Sequence, residues 1–211
     1  MAAQAGQQSR LWTFAPPWSI YLIGCMPATY LIYAAVTNQL GADPVEVLEN
    51  EFGEWALWLL IAGLVITPLR RVVGINLIKY RRALGVLAFI YVTLHFSVYL
   101  FLDRQLDWSA IFTDIWKRPY ITVGVASFLL LLPLAITSNN WSIRRIGAEA
   151  WRRLHMVVYL AAPLAALHYL LLVKSWPLEP FVYLGIILVL VAFRFVFRST
   201  RKRERRRSAS A

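Results

Sequence analysis

The sequence predicts an all-α integral membrane protein, a single six-helix transmembrane bundle with both termini in the cytoplasm. Three observations predict it. The 211-residue chain is 59% hydrophobic and 16% charged, with a mean hydropathy of +0.57, a composition foreign to soluble globular domains. Its apolar residues gather into six runs close to the span of about 20 residues that a bilayer core requires. The charges between successive runs alternate in sign.

Span one is Trp18–Val36, and its internal Pro27 predicts a kink. Leu22-Ile23-Gly24-Cys25 matches a bacterial lipoprotein cleavage box, with Arg10 as its basic region. Pro16 and Pro17 interrupt the apolar stretch such a signal needs, and apolar residues continue past Cys25 to Val36, which favours a retained span. Asp43, Glu46, Glu49, Glu51 and Glu54 then read as an acidic loop without a base. Span two, Trp55–Leu69, is the shortest, and Phe52 and Gly53 can extend it. A basic loop with Arg70, Arg71, Lys79, Arg81 and Arg82 leads into span three, Ala83–Leu102. Arg118-Pro119-Tyr120 opens span four, Tyr120–Ile136, which holds Pro133. Arg144, Arg145, Arg152 and Arg153 precede span five, Leu154–Val173, interrupted by Pro163; span six is Phe181–Phe197. The expected division is a cytoplasmic N-terminal segment (1–17), a six-span domain (18–197) and a basic cytoplasmic tail (198–211).

The net charge of +11 does not point to nucleic acid, because its distribution is that of topogenic charge. The side holding the N-terminus, second loop, fourth loop and tail carries 18 of the 22 Lys and Arg but 2 of the 11 acids. The positive-inside rule makes that side cytoplasmic. The tail (Arg201, Lys202, Arg203, Arg205, Arg206, Arg207) reads first as topogenic charge and second as a patch on anionic lipid. One cysteine leaves neither a disulfide framework nor a thiolate cluster. No Gly-x-Gly-x-x-Gly fingerprint follows a strand, so electrons, if the chain moves them, are expected from another molecule.

Three histidines, His95, His155 and His168, lie within or at the edge of apolar runs. An ionisable group at membrane depth is costly and marks a functional candidate. His95 is 12 residues beyond Ala83 and His168 is 14 beyond Leu154, rises of roughly 18 and 21 Å on helices running the same way. Two imidazoles at one depth can supply both axial ligands of a low-spin heme b, a coordination suited to electron transfer. The competing readings are a helix–helix hydrogen bonder or a proton relay. His155, thirteen residues before His168, has no histidine counterpart, because thirteen before His95 stands Arg82. It is a candidate for a second heme with another partner, for a quinone pocket, or for a plain interfacial residue. Arg82 is a candidate contact for a propionate or quinone oxygen; Arg118 is a candidate propionate or partner contact, or an interfacial anchor.

The chain resembles the MsrQ (YedZ) family of heme-binding membrane subunits, part of the wider ferric-reductase-like transmembrane group. The resemblance runs over nearly the whole chain. It rests on Leu40-Gly41-Ala42-Asp43-Pro44-Val45, Ile66-Thr67-Pro68-Leu69, Arg81-Arg82-Ala83-Leu84-Gly85 and Thr93-Leu94-His95. Arg118-Pro119-Tyr120, Thr137-Ser138, Trp151 with Leu154-His155, Tyr159 and His168-Tyr169 follow in order. The resemblance implies a multi-pass b-type cytochrome of the bacterial inner membrane, a non-catalytic electron-transfer subunit. Its donor would be the quinone pool or a cytosolic flavin reductase, and its acceptor a periplasmic molybdopterin-dependent methionine-sulfoxide reductase. The family is also associated with flavin mononucleotide (FMN). Members of the wider group carry two histidines on each of two helices; Arg82 departs from that pattern, leaving His95 and His168 as the expected outer heme pair. The alternatives are electron transfer to another periplasmic acceptor and a histidine-based proton or ion transporter.

Overall fold

The computed structural model describes residues 15–173, 175 and 177–209. Arg10, with residues 1–14, and the side chains of the basic tail lie outside that description. Six helices are long and apolar enough to cross a membrane, and each covers one expected span. The crossing stretches are Ser19–Val36, Pro44–Val73, Ile78–Asp103, Pro119–Ile136, Ala148–Leu172 and Leu178–Val196. Their main helices are α1 (Ser19–Val36), α2 (Pro44–Pro68), α3 (Arg81–Val98), α5 (Pro119–Ile136), α8 (Val158–Leu172) and α9 (Leu178–Ala209). Between them lie α4 (Trp108–Lys117), α6 (Asn140–Ile146) and α7 (Ala148–Leu154).

The second span begins eleven residues before the expected Trp55. Pro44 fits the first helical turn, where a missing N–H costs nothing, and the Asp43 carboxylate accepts from the Glu46 N–H at 3.1 Å. Glu46, Glu49, Glu51 and Glu54, read from sequence as a loop, therefore stand on the opening turns of α2. The helix widens over Leu69–Val73 and stops at Gly74, whose φ of +82° suits glycine. Span five is likewise composite: α7 passes through a tight 3-10 turn, His155–Val157, into α8.

Two helix pairs make the most extensive contacts, α2 with α3 and α5 with α8. α9 closes against α8 and α2, and α1 packs on α3. Small residues allow the close approach: Ala161, Ala162 and Ala166 of α8 are fully buried against Leu60, Leu131, Tyr183 and Ile187. Ser127 Oγ donates to the Ala161 carbonyl at 2.9 Å across the α5–α8 seam. On the other flank the Tyr91 hydroxyl donates to the Gly24 carbonyl at 2.7 Å and accepts from the Ala28 N–H at 3.0 Å. These are the two groups of one helical step beside Pro27, so Tyr91 supports α1 where proline weakens its ladder. Leu22, Ile23, Met26 and Tyr30 of α1 and Val189 of α9 face outward, as a lipid-facing surface requires.

Candidate metal centre

His95 rises from α3 and His168 from α8, and the bundle brings their rings together: the centroids are 6.0 Å apart and the planes cross at 75°. Each ring is held from behind. His95 Nδ1 lies 2.8 Å from the Glu49 carbonyl of α2, and His168 Nδ1 lies 2.7 Å from the Tyr120 carbonyl of α5. A carbonyl oxygen only accepts, so Nδ1 carries the proton in both rings and each Nε2 keeps its lone pair. That tautomer is the one a metal-ligating imidazole uses, with the second nitrogen donated to a backbone carbonyl.

The spacing fits a metal between them. Imidazole–metal bonds are about 2.0–2.1 Å long, so two rings sharing one ion would have centroids within about 6 Å of each other. Among the described residues no group of three or more His, Cys, Asp or Glu could hold a bare ion. Two imidazoles make a metal site when a macrocycle supplies the remaining positions, so the donor set fits a heme iron.

A polar cluster caps this end of the bundle. Asp114, buried on the inner side of α4, pairs with Arg104 (Nε–Oδ2 2.7 Å) and Arg118 (Nε–Oδ1 3.0 Å) and accepts from the Tyr99 hydroxyl at 3.2 Å. Arg118 also donates to the Tyr120 hydroxyl at 3.1 Å, and that hydroxyl is the main cause holding the guanidinium above its ordinary pKa. Arg118 thus meets the centre through Tyr120, whose ring centroid is 6.3 Å from that of His168.

At the opposite, basic end, His155 stands apart from both other histidines. It stacks on Trp151 (centroids 3.8 Å, planes 26° apart), its Nδ1 lies 3.1 Å from the Trp151 carbonyl, and its Nε2 lies 3.4 Å from Ser138 Oγ. Because it occupies the 3-10 turn, the regular helical count from His155 to His168 does not describe their relative direction. Arg82 donates from Nη1 to Asn140 Oδ1 at 2.7 Å, and Arg81 from Nη2 to the Tyr159 hydroxyl at 3.1 Å. Arg82 therefore ties α3 to α6 and is not brought to the His95–His168 centre. The carbonyls of Glu49 and Tyr120 escaped sequence reasoning altogether, since a backbone acceptor leaves no mark in residue type.

Residues 52–166 match the family described as ferric reductase like transmembrane component. Proteins of Brucella ovis, Brucella canis and Brucella suis, each named protein-methionine-sulfoxide reductase heme-binding subunit MsrQ, are 50% identical to the chain over 187 residues. Those residues cover 88% of this chain and 84% of each relative. The chain belongs to the MsrQ family. It is a multi-pass protein of the bacterial inner membrane; the matched residues 52–166 include His95 and end two residues before His168.

Proposed function

We propose that the chain is a b-type cytochrome subunit that passes electrons across the inner membrane to a periplasmic molybdopterin-dependent methionine-sulfoxide reductase, for repair of oxidised periplasmic proteins. Electrons enter from the quinone pool or from a cytosolic flavin reductase. The observation that carries the reading is the His95–His168 pair, with centroids 6.0 Å apart and both Nδ1 atoms bonded to carbonyls. In this reading His95 and His168 hold one heme iron through Nε2. A heme held by these two imidazoles would supply one-electron chemistry, which suits electron transfer.

The residues of the chain do the rest. The Glu49 and Tyr120 carbonyls fix the tautomer and aim both Nε2 atoms. The same bonds argue against a histidine proton relay, because a proton held on Nδ1 by a helix carbonyl is not free to move on. The charge asymmetry sets the basic end and both termini in the cytoplasm and the His95–His168 centre toward the periplasm. His155, with Arg81 and Arg82 near it, belongs to the cytoplasmic side, where a quinone head or a second cofactor would meet it. A flavin mononucleotide phosphate would find counter-charge at that same basic end.

The test is the absorption spectrum of purified protein. A Soret band that shifts on dithionite reduction, with a low-spin ferric signal, is expected for the wild type. His95→Ala and His168→Ala should each lower heme per protein. A correctly inserted, colourless wild-type protein overturns the reading.

A further inference from the structure

Two glycines sit where the histidine rings rest. A Cβ placed on Gly124 would stand 2.8 Å from His168 Nδ1 and 2.9 Å from its Cε1. A Cβ on Gly53 would stand 3.2 Å from His95 Nδ1 and 3.4 Å from its Cε1. By contrast Gly63, Gly85 and Gly185, also helical, have nothing within 4 Å of such an atom. Glycine inside a helix costs about 1 kcal/mol against alanine, so a glycine pressed by a ring calls for a reason that an open one does not.

The two sites share one construction. Gly53 stands four residues after Glu49, and Gly124 four after Tyr120. The carbonyl that receives each Nδ1–H is therefore the one whose helical partner is the N–H of the glycine facing that ring. Each imidazole lies against one turn of the neighbouring helix, on α2 for His95 and on α5 for His168. A side chain at the glycine would push the ring off that turn, lengthen its bond to the carbonyl and redirect Nε2.

We infer that Gly53 and Gly124 are positioning residues: each lets an imidazole lie flat on the facing helix turn, and together they set the direction of the two Nε2 atoms and the angle between the ring planes. The inference rests on the proposed metal centre at His95 and His168 and adds how its ligands are aimed. The two positions are not equal. A contact of 2.8 Å cannot be met without moving the ring, whereas 3.2 Å needs a shift of a few tenths of an ångström. Gly124 is the stricter of the pair.

The experiment compares G124A and G53A with G63A and G85A in full-length protein in detergent. Its readouts are affinity for added hemin, ferric low-spin EPR and midpoint potential. The angle between axial imidazole planes governs the EPR g values, so a redirected ring shifts them even where heme is retained. G124A is expected to lose hemin affinity by about 10–100-fold, the usual effect of disturbing a group that orients a metal ligand. G53A should keep heme with shifted g values and potential, and G63A and G85A should match the wild type. G124A indistinguishable from G63A overturns the inference while leaving the heme reading intact. If G124A fails to accumulate in membranes, the H168A/G124A double variant decides. Accumulation equal to H168A alone shows that the clash is with the ring; failure of the double variant to match it shows that Gly124 serves helix packing, which overturns the inference. That comparison needs no heme, so it stands apart from the failure of the reading it builds on.

Discussion

At His95 and His168 the Nδ1 proton is committed to a helix carbonyl, and an imidazole so held has one nitrogen left to give. Ligands of one metal act as a unit, so the effects of removing them should not add. His95→Ala, His168→Ala and the double substitution are expected to leave equally little low-spin heme, measured per protein after membrane insertion is verified. His155 has other surroundings: its Nδ1 faces the Trp151 carbonyl and its Nε2 lies 3.4 Å from the Ser138 hydroxyl, at the basic end and away from the other two rings. His155→Ala should therefore keep the low-spin spectrum and slow reduction from the cytoplasmic side. Loss of all heme in His155→Ala, with His95→Ala unchanged, would move the iron to the basic end. Tyr91 poses a separate test, because its buried hydroxyl serves both Gly24 and Ala28. Tyr91→Phe removes both bonds that brace α1 beside Pro27 and should lower unfolding stability in detergent by about 1–3 kcal/mol without changing the spectrum. The histidines were legible in the sequence because a titratable ring in an apolar run is rare. Their acceptors were not, because every residue carries a carbonyl and only the fold selects Glu49 and Tyr120.

The six spans were legible for a simple reason: an apolar run of sufficient length has few fates other than crossing a bilayer. What hydropathy reports, however, is contact with hydrocarbon, not helix. It therefore started the second span at Trp55, although the helix begins at Pro44 and carries Glu46, Glu49, Glu51 and Glu54 on its opening turns. The cue was present in Asp43-Pro44, a cap followed by a helix-starting proline. The helix α4 was missed for a related reason, since ten residues with Asp114 in the middle form no apolar run. It is held to the bundle by Asp114, which joins Arg104, Arg118 and Tyr99. Thr122 adds a bond from its hydroxyl to the Ile115 carbonyl. Asp114→Ala is expected to loosen α4 while the spans remain in place. Because both arginines keep partial contact with solvent, the cost should be about 1–3 kcal/mol and local. Faster tryptic cleavage at Arg104 or Lys117, with helix content retained, is the expected outcome. Unchanged cleavage would show that α4 is anchored by other contacts.

For the whole molecule, orientation and electron flow are one question. Spans alternate in direction, so placing a single loop places the rest, and the argument that His95 and His168 share a depth depends on spans three and five running the same way. The charge count gives the sign: 18 of the 22 Lys and Arg lie at the end that holds both termini. From that end His95 and His168 stand roughly 18–21 Å into the membrane, toward the acidic face. In the proposed reading, electrons leave outward from that centre and come in from the basic side. A reporter fused after Ala211 should be active in the cytoplasm, and one inserted at Gly41, in the short connection before α2, should be active outside. Purified protein should not oxidise NADH unaided, whereas a quinol, or NADH with a flavin reductase, should reduce its heme within the mixing experiment. Rapid reduction by NADH alone would contradict this route. A periplasmic C-terminus would do more, since it would turn the His95–His168 centre toward the cytoplasm and reverse the proposed direction of electron delivery.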